Sequence, residues 1–294
     1  MGQIVVLGAN GMLGSQVSKE LISSGFKVTT AVRQSNFKAG DKILDYRSNC
    51  DSLGQFFKNE PNVDVVVNCI GLIKQKFSET FQKKEMIELN TLLPMELDQC
   101  AEKYNFQVIQ IATDCVFSGE RGQYVESSPH DANDLYGVTK SLGEIDSKRY
   151  MNLRCSIIGN EINSRHSLHD WFLGNSANST VTGYTNHFWN GVTTVSFARI
   201  VSGIIKTKGF LPGTRHIVPS DMVSKYDLLK LIGDINDRGD ITVEPFENEI
   251  GVDRTLNTVF PHFNETLWSW AGYEGIPSIR DMIAEMDLTS RMGL

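Results

Sequence analysis

The chain has 294 residues, 40% of them apolar and 21% charged, with 28 Lys and Arg against 35 Asp and Glu for a formal net charge of −7. At roughly 150 residues per domain this is one large domain or two modest ones, and the apolar content excludes a largely disordered chain. No cluster of basic residues forms a phosphate-backbone footprint, so nucleic acid is not an expected partner.

In chain order, residues 3–8 are a short apolar, β-branched run that stops at glycine, and 12–24 carry helical spacing through Leu13, Val17, Leu21 and Ile22. The same alternation predicts strands at 26–32 and near 42–45, a helix at 51–58, a strand at 63–70 and a long helical stretch within 80–103. A strand at 106–112, a helix at 135–148 and a strand at 150–158 follow. Strands alternating with helices imply an α/β fold, a Rossmann-type doubly wound parallel sheet covered on both faces. The nearly unbroken apolar run Val63–Ile70 is that of a central strand.

Beyond residue 158 the alternation loosens into a Ser/Asn/Gly-rich segment. A strand-helix unit at 191–206 and a strand at 214–218 imply that the chain returns to the sheet within 186–220. Residues 1–158 are therefore read as a dinucleotide-binding Rossmann domain, and 159–185 with 221–294 as a smaller substrate-binding region.

The first predicted strand runs into Gly8-Ala9-Asn10-Gly11-Met12-Leu13-Gly14, a G-x-x-G-x-x-G turn that opens a helix. Glycine lets the backbone approach a pyrophosphate, and the free N–H groups of the helix start attract its charge. The second strand ends in Arg33 instead of the acidic residue that grips a ribose 2′-hydroxyl, which suits a 2′-phosphate and favours NADP(H), with NAD(H) possible. Further on, Tyr136 and Lys140 stand at i and i+4 on one predicted helix face, so their side chains share one site. A nearby ammonium favours the phenolate and lowers a tyrosine pKa from its ordinary value near 10. Thr113 follows the strand at 106–112, at the end where open α/β sheets bind ligands.

Thr113, Tyr136 and Lys140, in this order and spacing behind the glycine turn, resemble the extended short-chain dehydrogenase/reductases. At finer grain the chain is similar to the sugar-nucleotide reductases typified by dTDP-4-dehydrorhamnose reductase. The stretches that carry this are Gly8–Gly14, Glu88-Leu89-Asn90, Ala112-Thr113-Asp114-Cys115-Val116-Phe117-Ser118-Gly119, Leu135–Glu144 and Asn152-Leu153-Arg154-Cys155-Ser156. The resemblance implies hydride transfer from a nicotinamide to C4 of a 4-keto sugar. Tyr136 would protonate the developing alkoxide and Thr113 orient the carbonyl, while Lys140 lowers the tyrosine pKa and holds the nicotinamide ribose. It also implies that Asn90 helps to hold the lysine and a water, and that Asp45 and Ile70-Gly71 line the adenine and the cofactor ribose.

Departures accompany the matches. Cys115 stands where the rhamnose reductases carry tyrosine and where GDP-fucose synthases carry a cysteine that acts with a histidine in epimerisation; His166 or His169 would be the partner. A small packed thiol is the plainer reading. Arg254 falls where the reductases carry an R-P-x-x-S piece, without the proline, and could clamp a diphosphate. Trp171 and Trp189 offer aromatic surface for a nucleobase or sugar, or for packing. His166-x-x-His169 lacks an acidic or cysteine partner placed by sequence, so no metal is expected.

The five cysteines, Cys50, Cys69, Cys100, Cys115 and Cys155, include no C-x-x-C pair, which reads as reduced thiols in a cytoplasmic protein. No apolar run approaches the ~18 residues of a bilayer span, and the N-terminus lacks the flank and apolar run of a signal peptide, so no membrane association is expected. Val6 excludes a myristoylation signal at Met1-Gly2. The expected activity is reduction of a nucleotide-diphosphate 4-keto-6-deoxy-sugar in polysaccharide precursor synthesis, with a homodimer possible. The alternatives are a nucleotide-sugar epimerase or combined epimerase-reductase, and a non-catalytic dinucleotide-sensing subunit.

Overall fold

The computed structural model describes residues 2–33, 38–46, 51–73, 80–161 and 167–291. Strands β1 (Gln3–Leu7), β2 (Val28–Val32), β3 (Lys42–Ile43), β4 (Val63–Asn68), β5 (Gln107–Thr113) and β6 (Tyr150–Cys155) precede the short β7 (Ile157–Ile158). Helices α1 (Met12–Ser23), α2 (Ser52–Asn59), α3 (Thr80–Ile87), α4 (Leu93–Tyr104) and α5 (Leu135–Leu142) lie between them. The remainder comprises α6 (Leu168–Leu173), β8 (Thr180–Tyr184), β9 (His187–Trp189), β10 (Val192–Thr193), α7 (Thr194–Thr207) and β11 (Gly213–His216). After these come β12 (Val223–Ser224), α8 (Lys225–Ile235), β13 (Thr242–Phe246), β14 (Val252–Asp253), α9 (Pro261–Trp270) and α10 (Ile279–Arg291).

Seven strands form one parallel sheet in the order β11-β6-β5-β4-β1-β2-β3. Alternation along β1 sends Val5 and Leu7 to one face, where they pack with Leu53 and Phe57 of α2 and Leu93 and Leu97 of α4. Ile4 and Val6 face the other way, onto Val17 and Leu21 of α1 and Val201 and Ile204 of α7. That second core runs on without a break into Trp268 of α9 and Met282 and Ile283 of α10, so the C-terminal region shares a core with the sheet. Among the described residues no helix is long and apolar enough to cross a membrane.

Several boundaries differ from the sequence pattern, each for a tertiary reason. The helix expected over 135–148 stops at Leu142, because the next residues are drawn into the buried face of the sheet. Gln110 donates to the Gly143 carbonyl (2.7 Å) and Asn152 to that of Ile145 (2.9 Å). The strand expected over 150–158 breaks at Ser156, and β7 leaves the main sheet to pair with β10. Within the helical stretch 80–103, residues Glu88–Leu92 wind as a single π-helical turn that buries Asn90 and Thr91. The pairs β8–β13 and β9–β14 join segments some sixty residues apart and had no local signal in the sequence.

Polar side chains in the central strands tie the sheet to α5. Asn68 donates to Gln110 Oε1 (2.8 Å), and the Tyr150 hydroxyl donates to the same oxygen (3.0 Å). Next to them Arg154, only 1% exposed, is among the largest fully buried side chains. Its Nε meets Glu144 Oε1 (3.0 Å) and its Nη2 meets Glu144 Oε2. Its other N–H groups donate to His216 Nε2 (2.7 Å) and His130 Nε2 (2.8 Å), and its guanidinium lies over the Phe117 ring.

His216 accepts from Arg154 on one nitrogen and donates to the Asn257 carbonyl from the other (2.6 Å), so it is held neutral. Burial, with the Arg154 charge beside it, pushes its pKa down from 6.5 to about 4 despite Glu126 nearby. Between pH 6.5 and 4 the unfolded chain therefore binds the proton that the folded chain refuses, and stability falls as the pH falls. The loss is expected to reach about 3 kcal/mol by pH 4. Urea unfolding between pH 7 and 4.5 checks this: His216→Gln should flatten the slope, and an unchanged slope would show that His216 does not supply it.

Candidate active site

The turn after β1 is the first element of the site. Gly14 in the first turn of α1 sits so close to the preceding loop that a Cβ there would lie 2.2 Å from the Gly8 carbonyl oxygen, which presses the helix start down onto the turn. Gly11 is the N-terminal cap residue and has no side chain with which to cap the first N–H groups of the helix. Leu13 turns its side chain into the core, while Gly11 is exposed at the start of the helix. This cradle fits a pyrophosphate. Ile70-Gly71, just past β4, lie between it and the middle of the sheet: the Ile70 N–H bonds to Asn68 Oδ1, and Gly71 faces Asn90 and Lys140.

Arg33 is exposed just past β2, its Nη1 3.6 Å from Glu85. Asp45, beyond β3, is exposed as well.

The reacting groups gather where β5 ends. Thr113, 8% exposed, is the last residue of β5 and caps a 3-10 turn over Asp114–Val116 by accepting the Cys115 N–H (3.2 Å). Its hydroxyl lies 3.2 Å from Asp114 Oδ1, to which it donates, and it also bonds with the hydroxyl of Tyr136. Tyr136 reaches this point because α5 packs directly on the 3-10 turn. A Cβ on Gly137 would lie 2.4 Å from the Cys115 carbonyl oxygen, so only glycine permits the approach. Asp134 caps α5 by accepting the Gly137 N–H (3.1 Å).

Burial, followed by Cys115, pushes the Tyr136 phenol above its ordinary range and so keeps it protonated. Lys140, one helical turn on, donates from Nζ to the Ile111 carbonyl (3.1 Å), and burial lowers its own pKa. Asn90, 1% exposed, does not face solvent. Its amide is spent on both backbone groups of Leu72 (2.9 and 3.0 Å) and on Thr139, fixing the segment beside Gly71.

The second half of the chain contributes less than its aromatic residues suggested. Trp189 is 4% exposed, its indole N–H donating to Ser156 (2.8 Å), and serves as packing under Lys225, whose Nζ stands 5.3 Å from the ring centre. Trp171 is exposed on α6. His169 is buried on the same helix with Nδ1 3.2 Å from Asp170, and His166 lies outside the described residues. Arg254 does reach the site. The segments 119–124 and 253–257 are zipped by backbone bonds, and Arg254 Nε donates to the Phe117 carbonyl (2.8 Å), which sets its charge near Asp114. Lys225 was not legible in advance. Its position at the start of a helix capped by Ser224 is written in the sequence, but its approach to Asp114, more than a hundred residues earlier, is not. Among the described residues no group of three or more His, Cys, Asp or Glu could hold a metal ion.

A parallel sheet in this order, a glycine turn at its first β-α junction, and a Thr-Tyr-Lys set at the end of β5 define the extended short-chain dehydrogenase/reductase class. Within it the chain belongs to the family of the RmlD substrate binding domain, whose model matches residues 2–250. It is 29% identical over 145 residues to the spore coat polysaccharide biosynthesis protein SpsK of Bacillus subtilis (strain 168); the match takes in 49% of this chain and 47% of that protein, about half of each. The fold is similar to that of dTDP-4-dehydrorhamnose reductase from Bacillus anthracis str. Ames in complex with NADP, at a TM-score of 0.79 and 17% identity over 98% of this chain and 99% of that one. The dTDP-4-dehydrorhamnose reductase of Clostridium acetobutylicum ATCC 824 gives a TM-score of 0.76 at 21% identity, over 99% and 100%.

Proposed function

We propose that the protein reduces the C4 ketone of a nucleotide-diphosphate 4-keto-6-deoxy-sugar, with NADPH as preferred reductant, in the synthesis of polysaccharide precursors. The observation that carries this is the meeting of Thr113, at the C-terminal end of β5, with Tyr136 of α5, the helix seated at Gly137 against the Cys115 carbonyl. A ketone that accepts a hydride becomes an alkoxide and needs a proton donor, whereas oxidation of an alcohol needs a base. Tyr136, whose phenol carries its proton at neutral pH, is the donor.

The bound dinucleotide supplies the hydride. The chain does the rest. The helix start at Gly11–Gly14 holds the pyrophosphate, and Lys140 beside Gly71 is placed to bind the nicotinamide ribose. Thr113 and Tyr136 flank the C4 oxygen, and Tyr136 delivers its proton there. Arg254 is placed to meet the diphosphate of the sugar nucleotide. The reaction is assigned to the reducing cytoplasm, in keeping with the thiols of Cys69, Cys100 and Cys155.

Incubation with NADPH and a panel of dTDP-, UDP- and GDP-linked 4-keto sugars tests the reading, the expected result being NADPH consumption with one of them. Run in D₂O without NADPH, the same mixtures should leave deuterium out of C3 and C5 beyond background. Enzyme-dependent deuterium uptake that Cys115→Ser abolishes would make the protein a combined epimerase-reductase.

Arg33 is proposed to read the 2′-phosphate. Its exposed pair with Glu85 contributes little and is readily exchanged for a phosphate. Arg33→Ala should weaken NADPH binding by about 1.5–3 kcal/mol and leave NADH nearly unchanged. Equal losses in calorimetric titrations of the two cofactors would remove Arg33 from that role.

A further inference from the structure

The end of α5 that carries Lys140 is tied to Arg154 of β6 by two routes. Glu144, two residues past Leu142, binds the guanidinium directly through Arg154 Nε (3.0 Å). His130, which the reduction as described does not use, makes the second route: its Nε2 lies 2.8 Å from Arg154 Nη2, and its Nδ1 lies 2.6 Å from the hydroxyl of Ser141, the residue after Lys140. A guanidinium can only donate, so Nε2 is the acceptor and the ring proton sits on Nδ1, which donates to Ser141. Only the neutral imidazole satisfies both bonds.

We propose that His130 is a positioning residue for the reduction: its neutral imidazole clamps the Lys140 end of α5 to Arg154, and a proton on Nε2 opens the clamp. The proposal rests on the reductase reading above. Tyr136 and Lys140 both ride on α5, and Lys140 Nζ bonds to the Ile111 carbonyl of β5 (3.1 Å), so the seat of the helix end against the sheet decides where both side chains stand.

The clamp has two states. Protonation of Nε2 removes the lone pair that Arg154 uses and sets two cations at hydrogen-bond distance. An acceptor for the new N–H stands close by, Glu144 Oε2, 3.9 Å from Nε2 and already bonded to Arg154 Nη2. The imidazolium therefore competes with Arg154 for the carboxylate that anchors the end of α5.

The charged groups around His130 are Glu144, Arg154 and its neighbour Asp131, with Glu126, Asp146 and Arg215 lining the same cavity of about 450 Å³. Asp131 is engaged elsewhere, accepting from the Ser118 N–H (2.7 Å) and hydroxyl (2.9 Å). Burial favours the neutral ring and lowers its pKa from the ordinary 6.5, while Glu144 and Asp131 pull the other way. The ring is thus neutral at pH 7 and gains its proton only below pH 6.5. Its side chain is 26% exposed, so solvent protons reach it. His216, on another N–H of Arg154, is 1% exposed and bonds to the Asn257 carbonyl instead of to α5.

The experiment follows kcat and KM from pH 4.5 to 8, with NADPH and the 4-keto sugar that the wild type reduces. It compares the intact enzyme with His130→Ala, His130→Gln, Ser141→Ala and the His130→Ala/Ser141→Ala pair, with circular dichroism at each pH to confine the comparison to folded protein. His130→Ala should lose at least about fivefold in kcat at pH 7.5, the value of one hydrogen bond, with KM for both substrates within about twofold. His130→Gln should lose less, because its amide still offers Arg154 an acceptor. The pair should lose no more than His130→Ala alone, since both changes remove the same bond. Wild-type kcat should fall along a one-proton limb below pH 6.5 that both His130 variants lack. Nitrogen-15 NMR of the wild type should find His130 as the Nδ1–H tautomer at pH 7.5, its signal assigned by its loss in His130→Gln.

An acid limb that survives in His130→Gln would overturn the proposal, as would an Nε2–H tautomer or a loss confined to KM, which would make His130 a substrate-binding group. The tautomer and His130→Gln decide the matter even where His130→Ala does not fold. A wild type that reduces no 4-keto sugar overturns the reductase reading and the positioning role with it, whereas an active wild type with unaffected His130 variants overturns the positioning role alone.

Discussion

Tyr136→Phe is expected to lower kcat by about 10²–10⁴-fold and to leave dinucleotide affinity nearly unchanged, because it removes one hydroxyl and keeps the ring that packs there. The phenol is the proposed proton donor to the C4 oxygen, and the helix that carries it is held by contacts that the substitution does not touch: the Asp134 cap, the Gly137 contact and the Thr91 bond to the Thr139 carbonyl. Affinity should survive, because the pyrophosphate cradle lies on β1 and α1, elements that Tyr136 does not support. Single-turnover reduction together with calorimetric titration of the cofactor separates the two quantities. A Tyr136→Phe enzyme within a few-fold of the wild type would show that another group protonates the C4 oxygen.

The largest effect on stability is expected at Arg154. Its guanidinium is satisfied by Glu144, His130 and His216 together, and Glu144 is itself only 5% exposed. Arg154→Met fills most of the space but leaves a carboxylate in a low-dielectric site without its partner, a change that costs about 3–5 kcal/mol. Arg154→Met/Glu144→Leu should recover much of that loss, because the stranded charge is then gone; the pair is in direct contact, so the two effects will not add. Chemical denaturation of the two variants measures both terms. If the single variant lost less than about 1 kcal/mol, Glu144 would have to find water or another partner on its own. The single variant should also lose activity, since Glu144 follows α5 and Phe117, under the Arg154 guanidinium, holds Arg254 by its carbonyl.

The alternation of strand and helix over the first 158 residues was legible, because each element there carries its own signal: a period of two or a buried run for a strand, a period near 3.6 for a helix, glycine at the turn between them. The residues gathered at the end of β5 were legible for the same reason, since a strand end and an i, i+4 pair are local facts. Misjudged boundaries have non-local causes. Nothing between residues 135 and 148 says that Gln110 and Asn152 draw the chain out of helix after Leu142, or that Ser156 is where β7 departs for β10.

The same division runs through the site. Local sequence determined that a glycine turn opens α1, that Thr113 ends a strand and that Tyr136 and Lys140 share a helix face. Only the tertiary structure decided which atoms those side chains meet. Lys140 turns to the Ile111 carbonyl, Asn90 to Leu72 and Thr139, Trp189 becomes packing, and Lys225 and Arg254 arrive beside Asp114 from the far end of the chain. Spacing along a helix or strand fixes direction to within one turn. A protonation state depends on burial and on nearby charges, and for Asp114 two of those charges, Arg254 and Lys225, lie more than a hundred residues further along the chain, so that only the packed fold brings them into play.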